Sequence, residues 1–155
     1  MFEGTVVSIN ITDNGATPMR AVPEAHAVPG RGIEGDRYYL GQGTFSKAEP
    51  NSGRQITLIE IETIEEVEIT YGYRLDPTGS RRNIVTRDVP LNHLVGKEFT
   101  VGDVTLRGVR LNGPCNHLAK LTDPKVKEAL VHRGGLRADI LTEGVIRPGD
   151  AVRGA

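Results

Sequence analysis

A single cysteine, Cys115, stands in the run Leu111-Asn112-Gly113-Pro114-Cys115-Asn116-His117-Leu118. With no second cysteine in the sequence, it cannot form an intramolecular disulfide. It follows Gly-Pro and precedes a segment able to turn helical. There the positive end of a helix dipole, or a nearby Arg or protonated His, lowers a thiol's pKa and yields the thiolate. A thiolate attacks sulfur and binds soft metals. The same position also fits a small buried hydrophobe with no chemistry. His117 lies two residues on, a spacing that does not bring both side chains to one helical face, so a Cys-His catalytic pair is not implied.

The second group of chemistry-bearing residues is arginine. Of the 19 basic residues, 14 are Arg and five are Lys. The guanidinium fork grips carboxylate or phosphate at two points, so the bias favours anion recognition. Three Arg-containing loop segments stand out: Gly35-Asp36-Arg37, Gly53-Arg54-Gln55 and Arg81-Arg82-Asn83. Late in the chain Gly134-Gly135-Leu136-Arg137-Ala138 joins them. Beside glycine the backbone is uncrowded, and arginines at strand entrances can converge on an anion. The alternative for each is a surface Arg paired with a nearby Asp or Glu.

Other patterns carry less. Gly30-Arg31-Gly32-Ile33-Glu34-Gly35 matches GxGxxG, but that fingerprint works only between a strand and a helix whose N-terminus meets a pyrophosphate. Pro29 precedes it, and Asp36 to Gly43 is poor helix material. His26, His93, His117 and His132 are dispersed, with no pair at metal-ligand spacing on one element. No Gly-x-Ser-x-Gly elbow supports a serine hydrolase. The acids Glu60, Glu62, Glu65, Glu66 and Glu68 read as a solvated helix face.

The elements that must position these residues are mostly strands. Thr5 to Ile11 is β-branched and apolar, followed by a turn at Asp13-Asn14-Gly15 and a second extended piece within Met19 to Val28. Pro29 to Gly53 reads as long ordered loops. Gln55-Ile56-Thr57 is a short strand running into a helix. Thr57 and Glu60 have capping-box spacing, Ile61, Ile64, Val67 and Tyr71 form one face, and Gly72 closes the end. Asn83 to Thr86 is a strand, and Phe99 to Leu106 a hairpin bent at Gly102-Asp103. A second helix opens at Asp123-Pro124 and stops at Gly134-Gly135. Ala138 to Leu141 and Ala151-Val152 close the chain as strands. Short strands with two helices predict a β-barrel or sandwich with helices packed on it, in one domain spanning residues 1–155.

Composition narrows the class. The 155 residues are 37% hydrophobic and 25% charged, a soluble globular balance. Net charge is −1, so nothing global attracts nucleic acid or an anionic membrane. No apolar run approaches the roughly 20 residues of a membrane helix. The start lacks a signal-peptide pattern, and with one cysteine this points to a reducing cytoplasm. Oligomeric state is not written in the sequence.

The order of motifs resembles a MOSC domain, the module named for the C-terminal part of molybdenum-cofactor sulfurases. The matching stretches are Gly32 to Arg37, Arg54 to Leu58, Arg81 to Val85, Leu94 to Gly102, Pro114-Cys115, and Gly134 to Ala138 up to Gly149-Asp150. The resemblance implies a β-rich α/β fold, barrel-like with a few packed helices. It implies that Cys115 carries persulfide sulfur or ligates molybdenum. It also implies that Arg81 and Asn83 help hold an anionic molybdopterin cofactor; Arg82 is expected to join them on its phosphate, with Arg37, Arg54 and His117 as candidates for the pocket wall. Many relatives have a second Cys shortly before the Pro-Cys pair, where this chain has Asn112-Gly113, so no dithiol can form.

Three functions are expected on this basis. The first is a molybdenum-cofactor-binding or sulfur-carrier protein, served by a cysteine-desulfurase-type sulfur donor or a molybdoenzyme acceptor. The second is a molybdenum-dependent reductase of N-hydroxylated compounds with an electron-transfer partner. The third is a non-enzymatic module that binds a phosphate ligand through its arginines.

Overall fold

Alternation of apolar residues along β-branched strands builds the wall of a closed barrel. The computed structural model describes residues 2–14, 16–40, 55–72, 74–112 and 133–154. Its first elements are β1 (Glu3–Ile11), β2 (Arg20–Ala21), β3 (Ala25–Val28), β4 (Gly32–Ile33) and the single-turn helix α1 (Arg37–Leu40). Next in order are β5 (Ile56–Glu60), α2 (Ile61–Tyr71), β6 (Ile84–Arg87), β7 (Glu98–Val101) and β8 (Val104–Leu111). Strands β9 (Leu136–Ile140), β10 (Gly144–Ile146) and β11 (Ala151–Gly154) complete it. Short 3-10 turns occupy Pro77–Ser80 and Leu91–Leu94. Seven strands run β1-β11-β7-β8-β9-β5-β6 and return to β1, so the barrel has no free edge among them. Strands β10, β3 and β4 form a separate three-stranded sheet.

The interior is aliphatic. Val6, Ile9, Ile56, Leu58, Ile84, Phe99, Leu106 and Leu136 are among the buried side chains of one cluster. In β1 the inward positions change parity between Val6 and Ile9, and the register against β6 slips between Val6 and Ser8. That bulge lets both residues face inward where strict alternation would turn one out. A second cluster, Ile59, Ile61, Ile64, Val67, Leu75 and Val85, lies between α2 and the outer face of β5 and β6.

Strands β5 and β6 are parallel, whereas every other described strand pair is antiparallel. A parallel pair needs a crossover, and α2 supplies it. The helix ends as the sequence predicts, with Gly72 at φ 69 and its N–H donating to the Glu68 carbonyl at 3.0 Å. Its start differs. Glu60 is the extended residue before the helix and makes no side-chain cap, while Thr57 lies in β5 and turns its hydroxyl to Asn83. Pairing of β5 with both β6 and β9 outweighs the local cap signal. Tyr71 also departs from the expected inner face, since it is partly exposed at the last turn.

The GxGxxG run begins in the turn of the β3–β4 hairpin, where Arg31 N–H donates to the Val28 carbonyl at 3.1 Å, and continues through β4. The one-turn α1 comes after it in place of a long helix, so part of the predicted loop region has regular structure. Residues 41–54 of that region, and the helix expected from Asp123, lie outside the described residues. The acidic residues of α2 divide: Glu65 and Glu68 are exposed, whereas Glu62 accepts the Asp88 N–H at 2.8 Å.

In the small sheet, His26 on β3 stands between two carboxylates. Its Nδ1 is 2.9 Å from Glu34 Oε2 and its Nε2 2.7 Å from Glu143 Oε2. The hydrogen bond with Glu34, then that with Glu143, raises the imidazole pKa above 6.5. A raised pKa makes the contribution largest below the unfolded value, and it is lost as pH rises through the folded value. Urea midpoints at about pH 5.5 and about pH 8.5 should therefore show a larger gap between wild type and His26→Ala at the acid end. A gap that does not narrow at the alkaline end would show that the clamp does not act through the imidazolium.

Thr57, Asn83 and Asn10 bind the strand starts together. Replacing Thr57 with Val keeps the shape and the backbone bond to Asn83 Oδ1 but removes the hydroxyl that accepts the Asn83 N–H, and should cost about 1–3 kcal/mol in urea unfolding. A loss below about 0.5 kcal/mol would mean that these groups find other partners.

Candidate functional site

Inward-facing Ile56, Leu58, Leu136 and Ala138 fix which residues of β5 and β9 face out. Thr57 and Arg137 sit between them, are Cα partners across the ladder, and occupy the outer face. Asn83 joins this row just before β6. Its Oδ1 accepts the Thr57 N–H at 3.0 Å and the Thr57 hydroxyl at 3.1 Å. Its own N–H donates to Thr57 Oγ1 at 3.0 Å, and its Nδ2 to the Asn10 carbonyl at 3.1 Å. Asn10 in turn donates from Nδ2 to the carbonyls of Pro77 and Arg82, each at 3.1 Å. These bonds fix the backbone from which Arg81 and Arg82 project.

Arg81 closes the Pro77–Ser80 turn at φ 63, in the left-handed region. A branched or long side chain is seldom found there, and the conformation is held only because the surroundings determine it. Arg81 Nη1 donates to the Thr17 carbonyl. Arg37, from α1, donates from Nη2 to the Arg81 carbonyl at 3.0 Å and from Nη1 to Asp36 Oδ1 at 3.1 Å. Asp36 is fully buried and also accepts the Thr12 N–H at 3.2 Å. Arg82 Nε donates to the Gly134 carbonyl at 2.8 Å.

Gly135 makes that last contact accessible. It has φ +99, and a Cβ there would run into the Leu58 carbonyl, so only glycine lets β9 begin this close to β5.

The result is four guanidiniums, those of Arg37, Arg81, Arg82 and Arg137, each no more than 7% exposed. Burying cations is costly unless opposite charge and hydrogen bonds compensate. The effect registers in the titration of the group. Burial, reinforced by the neighbouring Arg37, lowers the Arg81 guanidinium to about 10. Tyr38 shows the converse. Burial alone would raise its phenol, but Arg37, Arg137 and Arg82 outweigh that and hold it below 10.0. The Arg37 guanidinium also lies 4.6 Å from the centroid of the Tyr38 ring.

The structure thus brings together Arg37, Arg81, Arg82 and Asn83 of the residues expected at the site, with Asp36 and Arg137 from the same Arg-containing segments, and adds Tyr38. Asn83 does not present its side chain outward; its polar atoms are engaged within the wall. Arg54, Cys115 and His117 lie outside the described residues. Sequence alone gave no cue to Tyr38. Asn10 had one, a polar residue between Ile9 and Ile11 in a strand otherwise apolar on that stretch.

Comparison with known proteins adds to this geometry. The YUAD protein from Bacillus subtilis superposes with a TM-score of 0.81 at 18% identity, covering 98% of this chain and 97% of that one. YiiM from Geobacillus stearothermophilus gives a TM-score of 0.73 at 16% identity, covering 98% of this chain and 75% of its own. YiiM from Escherichia coli gives 0.66 at 14%, covering 97% and 69%. At such identities the likeness is one of fold. No curated protein matches the sequence. The family model for the MOSC domain matches residues 33–153, which include β5 to β10 and the four buried arginines, and the chain belongs to that family.

Proposed function

We propose that this MOSC domain protein binds the phosphate of a molybdopterin-type cofactor in its arginine cluster and uses Cys115 as metal ligand or persulfide carrier. MOSC domains are generally associated with the molybdenum cofactor. The observation that carries the reading here is the burial of Arg37, Arg81, Arg82 and Arg137 in one cluster around Tyr38 and the Asn83 junction. A phosphate fits that donor set: guanidinium forks bind its oxygens in pairs, and its charge relieves repulsion between neighbouring cations. When bound, such a cofactor would supply a thiophilic metal.

The chain's own residues divide the work. Arg81, Arg82 and Arg137 hold the anion, Arg37 holds the Arg81 backbone in place, and Asn83 positions both adjoining arginines from within the wall. Cys115 is tied to the same region by covalent reach. Asn112 N–H donates to the Gly135 carbonyl at 2.7 Å. Three further residues span no more than roughly 11 Å. In the sulfur-carrying form, the Cys115 thiolate attacks the outer sulfur of a donor persulfide. The new S–S bond forms as the donor's breaks, and the donor leaves as a thiolate, with no net oxidation.

The test is the molybdenum content of wild type, Cys115→Ser and Arg81→Ala, each purified from cells making abundant molybdenum cofactor. Near-stoichiometric metal that falls at least about tenfold in both variants supports cofactor binding with Cys115 as ligand. Metal-free protein whose Cys115 gains one sulfur atom from a persulfide-loaded cysteine desulfurase supports the carrier. Neither metal nor sulfur in wild type overturns the proposal and leaves a module that binds anions through arginine.

A further inference from the structure

The arginine row continues onto β8. Arg110 is the Cα partner of Arg137, just past a register shift between Gly108 and Arg110. Side chains directly opposite on neighbouring strands stand about 5 Å apart at Cβ, and like charges so placed repel. Arg110 is exposed and has no ion pair among the described residues. The carboxylate of this face, Asp139, lies two residues along β9. It is the partner of Arg107 in the ladder and accepts from Gln55 Nε2 at 3.3 Å.

Two residues beyond Arg110, just past the end of β8, stands Asn112. Asn112 is 4% exposed, yet its Nδ2 has no hydrogen-bond partner among the described residues. A buried amide donor left unmade costs about 1–3 kcal/mol. It flanks Gly135 on one side, through its own N–H bond to that carbonyl, while Arg82 reaches the adjoining Gly134 carbonyl from the other. A second cation and a buried, unused donor therefore adjoin the cluster on the side away from Arg37.

We propose that Arg110 and Asn112 form a second anion subsite beside the arginine cluster, so that the ligand carries two linked anionic groups, a diphosphate rather than a monophosphate. This rests on the reading of the cluster as a phosphate receptor. Adjacent phosphoryl groups match cations on adjacent strands, and the Asn112 amide donates to an oxygen of the second group.

Calorimetric titration of the full chain with inorganic phosphate and with pyrophosphate tests it. Wild type should prefer pyrophosphate, and Arg110→Ala should lower the ratio of the two affinities about tenfold. Asn112→Ala should lower it as well, and Asn112→Asp further, because a carboxylate there repels the ligand. Arg110 is exposed, so its variant decides the question even if the Asn112 variants fold poorly. A ratio unchanged in Arg110→Ala, or wild type that binds phosphate without preferring pyrophosphate, overturns the second subsite and leaves the first standing. Wild type that binds neither anion overturns both. Titration with ADP separates the sources: binding tighter than pyrophosphate assigns an esterified diphosphate, weaker binding the free anion, and either supports the subsite.

Discussion

The site depends on β5 and β6 beginning side by side. In a parallel pair both strand entrances lie at one end of the sheet, so the residues entering β6 emerge next to those entering β5. The antiparallel neighbours reinforce this. Strand β1 delivers its last residues, Asn10 and Ile11, to that end, and β9 places Arg137 opposite Thr57. Asn83 is the bolt through this junction. It bonds Thr57 by three hydrogen bonds and Asn10 by a fourth, while the Asn10 N–H donates to its carbonyl at 2.7 Å. Such a network is fully internal, so its value lies in fixing the path of the chain. The two residues before it are Arg81 and Arg82, whose aim is set by the direction in which the backbone leaves Asn83.

Charge is the second constraint, and it opposes the first. A barrel wall assembled from apolar alternation has no intrinsic reason to gather guanidiniums, and gathering them costs free energy. Asp36 offsets part of the cost. It is fully buried, receives Arg37, and is anchored by the Thr12 N–H at the end of β1. Backbone carbonyls offset more: those of Arg81, Thr17 and Gly134 each accept from an arginine of the cluster. These oxygens lie in turns and strand entrances rather than in ladders, which leaves them available. The irregular backbone around the site, with Arg81 at φ 63 and Gly135 at φ 99, is thus what exposes acceptors to the arginines. The arginines are organised by neutral oxygens of the chain itself.

Much of the framework was legible because it rests on local periodicity. The hairpin at Gly102-Asp103, the Gly72 helix stop and the opening strand all arise from side-chain alternation and glycine's access to positive φ. The illegible part depended on partners remote in sequence. Thr57 and Glu60 satisfy the spacing of a capping box, yet Thr57 is 26 residues from the asparagine that takes its hydroxyl. Strand-entrance positions beside glycine hint that Arg37, Arg81, Arg82 and Arg137 converge, but they do not determine it. Convergence requires the order β9-β5-β6-β1, which no local pattern encodes. Tyr38 and the unsatisfied amide of Asn112 were invisible for the same reason.

The excess of arginine over lysine acquires a physical reason in this setting. Burial and a neighbouring cation bring Arg81 from 12.5 to about 10, where it remains charged at neutral pH. The same surroundings would lower a lysine as well, and from an ordinary value already about two units below that of arginine, so a lysine would hold its proton less firmly. A lysine would also offer a single point of attachment where the arginines reach carbonyls of the turns through a planar fork. Clustering cations in a wall of low polarity therefore selects arginine twice, once for its proton affinity and once for its geometry.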